Sequence, residues 1–396
     1  MHSQPVYYEE PYRRSLEAVV VAIDVEKHTV LLDRTICYPE GGGQSGDIGT
    51  IQGCPLLDTT KDDEHTIYHH VSNPTFSVGQ RVLIELDWDH RYRFMQMHTG
   101  QHIASGLLFR NYGIGTVSVH QGSRILTIET DASDIPLSTC YALEDQVNEQ
   151  IREAHPVHYE VHTRESAQSK GLRRTIKVEG DAIRLVVIED VDTIACGGLH
   201  VANTREVECF HYQGQEKIRG HVRLIFTVAQ TARNAIREVE QVAAKLGTLF
   251  SAPVETLVEA AEQTLAMEQQ ERGQLARANA RIAYLLLEAK IKQAQIAGQT
   301  PVVSWDVEES VDLKDVAKAV EACGDLALCA VKQDTDKLLW MIALQGDIEQ
   351  RIPFSHLRKT LLESFNGKGG GKGPVYQGVA VGEAQAFLDA FKEILA

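Results

Sequence analysis

Two short stretches hold the residues best able to do chemistry. His98-Thr-Gly-Gln-His102 sets two imidazoles four positions apart, and Cys196-Gly-Gly-Leu-His200 sets a thiol and an imidazole at the same spacing. On a helix, positions i and i+4 share a face, so His98 and His102 can reach one ion. Gly197 and Gly198 let the backbone fold tightly enough for Cys196 and His200 to converge. A soft sulfur and three nitrogens suit tetrahedral Zn2+, one ion per chain. Position 99 is Thr, so the glutamate base of an H-E-x-x-H peptidase is missing and that activity is disfavoured.

Two glycine-rich stretches come next. Gly41, Gly43 and Gly46 fit G-x-G-x-x-G, but a strand pattern follows where a dinucleotide site needs a helix. The stretch reads either as a turn with positive φ or as bare N–H groups, at Gly41, Gly42 and Gly43, that approach a phosphate or similar anion. Gly367-Lys-Gly-Gly-Gly-Lys-Gly373 is no Walker A loop: Asn366 stands where the frame needs its first glycine, and Gly373 replaces the Ser or Thr. It reads as a flexible turn, or as a nest of N–H groups with Lys368 and Lys372 meeting phosphates. His356, Arg358 and Lys359 would extend that patch.

The elements that position these residues follow from periodicity. Residues 1–88 hold short β-branched runs bounded by Gly, Asn and Pro, which predict a small β-barrel with the first glycine stretch in a loop. Residues 89–228 predict an α+β domain whose first helix, capped by Asp89, carries His98 and His102. Residues 229–298 are rich in Ala, Glu, Gln and Leu. One helix ends near Phe250, Ser251-Ala-Pro253 restarts a second, and that second helix runs to about Ile296. Leu275, Ile282, Ala289 and Ile296 recur every seven residues, so a helical hairpin and a dimerising coiled coil both remain open. Residues 299–396 alternate strands and helices, ending on an amphipathic helix to Ala396, and predict a compact α/β domain. The whole reads as an α+β multidomain chain.

Composition narrows the classes. The chain has 396 residues and a net charge of −16, so it is no general binder of phosphate backbones, and any nucleic-acid contact must come from local basic patches. There is no apolar run of membrane-spanning length and no hydrophobic signal core at the N-terminus, which predicts a cytoplasmic protein without a membrane partner. The seven cysteines are scattered and odd in number, so they predict no disulfide framework.

HTGQHIASGLL followed by CGGLHVANTREV resembles the editing domain of alanyl-tRNA synthetase and of the free-standing AlaX proteins. Tyr38-Pro-Glu-Gly-Gly-Gly-Gln44 is similar to the glycine-rich segment that precedes that domain, and the stretch Gly367–Gly373 to the glycine-rich loop of the synthetase's C-terminal domain. The resemblance runs from about Val19 to the C-terminus and fits the long form of AlaX. It implies zinc-assisted deacylation, in trans, of mischarged Ser-tRNA-Ala, with Gly-tRNA-Ala as a second candidate. It also makes the last hundred or so residues a tRNA-binding or dimerisation domain, with a homodimer through the helical or C-terminal region as one option. In that family a hydroxyl on the strand after the H-x3-H helix reads the serine. Strand alternation here puts Thr116, Ser118 and His120 on one face, and the three are nominated as a set. No general base can be named. The competing readings are a non-catalytic tRNA-binding module with a structural zinc, and a fragment of alanyl-tRNA synthetase. The latter is expected to fail because no aminoacylation domain precedes residue 17.

Overall fold

A computed structural model describes residues 3–176, 180–297, 299–334 and 337–395. The chain divides into two compact units, Met1–Lys245 and Leu246–Ala396.

The first unit opens with a closed barrel. Its strands follow one another around the wall as Ser15–Asp24, Thr29–Leu32, Ile67–Val71, Cys54–Lys61, Gly49–Ile51 and Arg81–Leu86. Leu16, Ala18, Val20, Val82 and Ile84 alternate inward and fill it with Val30, Leu32 and Leu56. Between the second strand and Gly49–Ile51 the chain makes the glycine turn, closed by a bridge from Gly41 to Gln44.

The helix Trp88–Tyr112 then enters the centre of the unit. Its N-cap is Asp87, whose carboxylate accepts from His90 N–H at 3.0 Å. Asp89, the cap expected from the sequence, lies inside the first turn, because Trp88 already has helical geometry. Gly113, at φ 67°, ends the helix by donating to the carbonyls of Leu108 and Phe109. Every residue from Phe94 to Leu108 is buried, so no face of this helix is left to water over that span. Arg91 is fully buried and fastens the helix to the barrel. Its guanidinium pairs with Asp47 and donates to the carbonyls of Ile36 at 2.5 Å and Pro11 at 2.9 Å.

Two antiparallel sheets complete the site. One runs Phe210–Ile218, His221–Val228, Leu126–Thr130, Thr116–Gln121. The other runs Val157–Thr163, Ala182–Ile188, Asp192–Ala195. The helix Leu137–Glu153 adds Leu143, Val147 and Ile151 to the same core as Leu107, Phe210 and Phe226.

The second unit is a six-stranded mixed sheet in the order Gln295–Ala297, Thr300–Asp306, Leu326–Asp334, Lys337–Gln345, Val375–Ala380, Lys368–Gly370. Alternate residues feed two cores. Val303, Trp305 and Leu328 meet the helix Leu313–Glu321 and the end of the helix Leu257–Lys292, while Cys329, Trp340 and Ile342 meet Phe387 and Phe391 of the helix Ala384–Leu395. Ala396 lies outside the described residues.

Two expectations for this region are corrected. The long helix ends at Lys292, and Ile296 pairs with Pro301 in a strand, so the last member of the seven-residue series is not helical. Ser251, at φ 51°, caps nothing; a 3-10 turn at Val254–Thr256 leads into the helix. The glycine stretch near the C-terminus is also more ordered than a flexible turn. Lys368–Gly370 forms an edge strand on Val375–Ala380, and a Cβ at Gly378 would stand 2.0 Å from the Lys368 carbonyl oxygen.

Candidate metal centre

His98 and His102 stand one helical turn apart on the buried helix, and the loop Cys196–His200, which follows the strand Asp192–Ala195, folds over them. One ligand atom from each of His98, His102, Cys196 and His200 lies within 4.8 Å of the others. The ring centroids are 4.3 Å apart for His98 and His200, 4.5 Å for His102 and His200, and 5.0 Å for His98 and His102. Cys196 Sγ is 3.4 Å from His98 Nε2. Gly198 is what allows this approach: a Cβ there would lie 1.9 Å from His98 Cε1.

Each imidazole has an outer partner facing its Nδ1 atom. Gln44 Oε1, from the glycine turn of the barrel, accepts from His98 Nδ1 at 3.1 Å and also from Leu199 N–H at 3.1 Å. Asp192 Oδ2 faces His102 Nδ1 at 3.3 Å and is itself held by Arg173. Thr99 Oγ1 gives its proton to the Met95 carbonyl, so it accepts from His200 Nδ1 at 3.2 Å and from Val201 N–H. The Nδ1 atoms of His98 and His200 therefore carry protons and their Nε2 atoms carry lone pairs, while His102 Nδ1 faces the Asp192 carboxylate without a hydrogen bond of good geometry. His200 Nε2 is buried with no hydrogen-bond partner among the described residues, as a nitrogen meant for an ion would be. The donor set and this orphaned nitrogen fit a metal ion.

The charges agree with that role. Burial alone would raise the Cys196 thiol, but His98 and His102 hold it well below its ordinary value, and Gly198 N–H donates to the sulfur at 3.3 Å. Burial, reinforced by the neighbouring His98 and His102, keeps His200 well below the usual imidazole range and so neutral. Burial also works to lower His102, yet Cys196 and Asp192 outweigh it and the net change is upward.

The loop is clamped from behind. Arg184 Nη1 donates to the carbonyls of Cys196 at 2.7 Å and Gly198 at 3.1 Å, while its guanidinium lies 3.7 Å over the Tyr159 ring and 5.0 Å from the Tyr8 ring. The Tyr8 hydroxyl donates to Gly197 O.

A cleft of about 380 Å³ opens beside the donors, lined by His98, His102, Cys196, Gly42, Ser118 and Arg174 among others. Of the strand residues nominated from the sequence, Ser118 lines this cleft, with its hydroxyl donating to Glu129 at 2.9 Å. Thr116 instead donates to Ser105 Oγ, which also accepts from the cleft residue Gln101, and His120 is exposed and outside the lining. Gly42 and Gly43 take φ of 62° and 87°. A Cβ on Gly43 would stand 2.8 Å from the Val119 carbonyl oxygen, so the turn packs backbone to backbone on this strand, and Gly41 neighbours Lys61. Lys368, Lys372, His356, Arg358 and Lys359 are exposed residues of the second unit. Reading the sequence missed Gln44, Thr99, Asp192, Arg173 and Arg184 as members of the site.

Comparisons with known proteins match these parts. The family model described as tRNA synthetases class II (A) matches residues 11–90, and that of the threonyl and alanyl tRNA synthetase second additional domain matches residues 183–226. The alanyl-tRNA editing protein AlaX-M of Pyrococcus horikoshii is 34% identical over 206 residues, 52% of this chain and 88% of AlaX-M. AlaX-L of the same organism is 35% identical over 243 residues, 59% of this chain and 60% of AlaX-L. An alanine–tRNA ligase of Pyrobaculum aerophilum is 27% identical along the full chain but is matched over only 44% of its own length. The chain thus spans about three fifths of AlaX-L and under half of the ligase. With the barrel and the paired His and Cys-His donors in the first unit, and AlaX-M matched over 88% of its length at 34% identity, the chain belongs to the family of AlaX alanyl-tRNA editing proteins.

Proposed function

We propose that this chain is a zinc-dependent hydrolase that deacylates mischarged Ser-tRNA-Ala in trans, with Gly-tRNA-Ala as a second candidate substrate. One observation carries the reading. Three imidazoles, whose Nδ1 atoms face Gln44, Asp192 and Thr99, converge with Cys196 into one four-donor group, and His98, His102 and Cys196 line a cleft of about 380 Å³. His98, His102, Cys196 and His200 would hold the ion. When bound there, zinc supplies a Lewis acid able to lower the pKa of a water or polarise an ester carbonyl.

The chain's own residues do the rest. Gln44 and Thr99 hold His98 and His200 in the ligating tautomer, and Asp192 sets its charge against His102. Arg184 and Gly198 keep the loop folded onto the helix. Hydrolysis breaks the bond between the acyl carbon and the ribose oxygen and leaves free serine and an uncharged RNA end. Alanine fits wherever serine fits, so steric exclusion cannot separate them. A polar group that needs the serine hydroxyl can, since alanine would leave it unpaired. Ser118 is the nominated residue that lines the cleft, and Thr116, Ser118 and His120 are compared in the test. For RNA contacts we propose Gly41, Gly42 and Gly43 at the cleft and Lys368 and Lys372 in the second unit. We place the activity in the cytoplasm; no helix among the described residues is long and apolar enough to cross a membrane. A homodimer stays a proposal, resting on the exposed Val239, Val242 and Leu249.

The test is release of serine from Ser-tRNA-Ala and of alanine from Ala-tRNA-Ala, with the protein zinc-loaded or chelator-stripped. We expect rapid, zinc-dependent serine release and little alanine release. Thr116→Val, Ser118→Ala and His120→Phe then locate the hydroxyl reader. Loss of the true contact narrows the ratio by about tenfold to a hundredfold, since a buried lost bond costs roughly 1–3 kcal/mol. One feature favours a second reading, a tRNA-binding module with a structural zinc. Four protein donors complete a tetrahedron, whereas catalytic zinc usually keeps an open position. Stoichiometric zinc with no serine release would establish it.

A further inference from the structure

The cleft wall carries two adjacent guanidiniums, Arg173 and Arg174, and their circumstances differ. Arg173 is committed: its Nε lies 2.8 Å from Asp192 Oδ1, the carboxylate that orients His102. Lys61, beside Gly41, is exposed, and three further cations near this wall are committed as well. Arg110 donates to the Asp190 carbonyl at 2.6 Å, Lys170 pairs with Glu160 at 3.2 Å, and Arg184 is held by loop carbonyls and tyrosine rings. Arg174 is half-buried in the cleft, and among the described residues it has no carboxylate, carbonyl or ring partner. The chain carries 55 acidic against 39 basic residues, so internal anions are plentiful. A partly desolvated guanidinium left without one, on the wall that also holds His98, His102 and Cys196, is suited to an anion that arrives with a ligand.

The chemistry of the ligand narrows that anion. An aminoacyl ester has no free carboxylate, and its ammonium group would be repelled by Arg174. The nearest anion in such a molecule is the phosphate on the 5′ side of the ribose that bears the ester. We propose that Arg174 binds the 5′-phosphate of the terminal nucleotide of an aminoacylated RNA whose ester lies at the four-donor centre. This rests on the hydrolase reading given above. The planar fork of arginine meets two phosphate oxygens at once, and the overall negative charge of the protein makes such a local contact necessary for RNA to enter. Arg174 thus senses nucleotide, while the groups deeper in the cleft sense the amino acid.

Binding separates this idea from turnover. The probes are two non-hydrolysable amide analogues, 3′-seryl-amino-3′-deoxyadenosine with and without a 5′-phosphate, measured by calorimetry on the full zinc-loaded chain. Wild type is expected to bind the phosphorylated analogue about tenfold to a hundredfold more tightly, the range of a charged hydrogen-bonded contact. Arg174→Ala should erase that preference and leave affinity for the phosphate-free analogue and the zinc content unchanged. Arg174→Lys should restore part of it. Equal weakening for both analogues would mean that Arg174 merely supports the fold. A preference that survives Arg174→Ala, or no preference in wild type, would also overturn the proposal. The hydrolase reading fails on different evidence: phosphate-dependent binding through Arg174 with no release of serine from the corresponding esters.

Discussion

At the scale of single residues, the centre is defined as much by the partners of the imidazoles as by the imidazoles. Gln44 holds His98 through its Oε1 atom, and nothing else among the described residues accepts from that Nδ1. Gln44→Leu should keep the volume, free the ring to rotate or change tautomer, and weaken metal binding by about 10–100-fold; competition with a chelator of known affinity checks this. A second residue predicts how the protein responds to acid. His69 is fully buried in the barrel, donates from Nδ1 to the Val30 carbonyl at 3.0 Å and accepts at Nε2 from the Thr35 hydroxyl at 2.8 Å. Thr35 in turn accepts from Cys37 N–H, so its proton is free to serve His69. Burial pushes this imidazole down to about 4. The unfolded chain binds the proton at a higher pH than the folded one, so stability is full above about 6.5 and is lost as pH falls toward 4. Each pH unit between those two values is worth ~1.4 kcal/mol, which brings the full loss to about 3 kcal/mol. Urea unfolding at about pH 7 and about pH 4.5 should show His69→Phe losing less stability across that interval than wild type, whatever its absolute stability.

Whole elements explain what can be read in advance. The i, i+4 histidines announce a helix face, and the alternating β-branched residues announce the barrel, because both are local periodicities that the backbone imposes on contiguous residues. The outer partners are illegible for the opposite reason. Gln44 and His98, or Thr99 and His200, are hydrogen-bonded across 54 and 101 positions, and no local period links them. Gln44 closes a glycine-rich motif in which the glycines carry the visible signal. Asp192 looks like one more acid in a loop until its strand places it against His102. The end of the long helix shows the limit of periodicity. Ile296 keeps the seven-residue spacing by coincidence, and pairing with Pro301 in the sheet overrides the helical preference of Gln293, Ala294 and Gln295. The Cys196–His200 loop carries its own test. Gly198→Ala adds a methyl where His98 stands 1.9 Å away, so the loop must lift off the helix. Zinc content should fall to near zero. The barrel, whose strands contribute no atom to that clash, should keep its strand signal in circular dichroism.

For the whole molecule, the division at Lys245 separates the metal centre from the two exposed lysines of the second glycine stretch. If the first unit does the chemistry and the second adds affinity for RNA, the two functions should come apart by mutation. Lys368→Ala with Lys372→Ala is expected to raise KM for tRNA, leave kcat unchanged, and make the log of affinity against log of salt shallower by about one or two units. A double variant with wild-type KM at every salt concentration would return that edge strand to a purely architectural role. The net charge of −16 sharpens the test, because the remaining surface offers little compensating attraction.

The reach of Gln44 from the barrel's glycine turn to the histidine helix has a calorimetric consequence. An ion held partly through a ring that the barrel orients favours the docked arrangement of barrel and helix over any undocked one, so filling the site and seating the barrel are linked equilibria. At a thousandfold excess over its dissociation constant a ligand adds about 4 kcal/mol to the state that binds it. Stripping the ion should therefore lower the melting temperature of the barrel itself, although no barrel strand supplies a ligand atom. In Gln44→Leu the same stripping should move that melting temperature far less. A strand on the far side of the barrel would then serve as a thermometer for what the histidines hold.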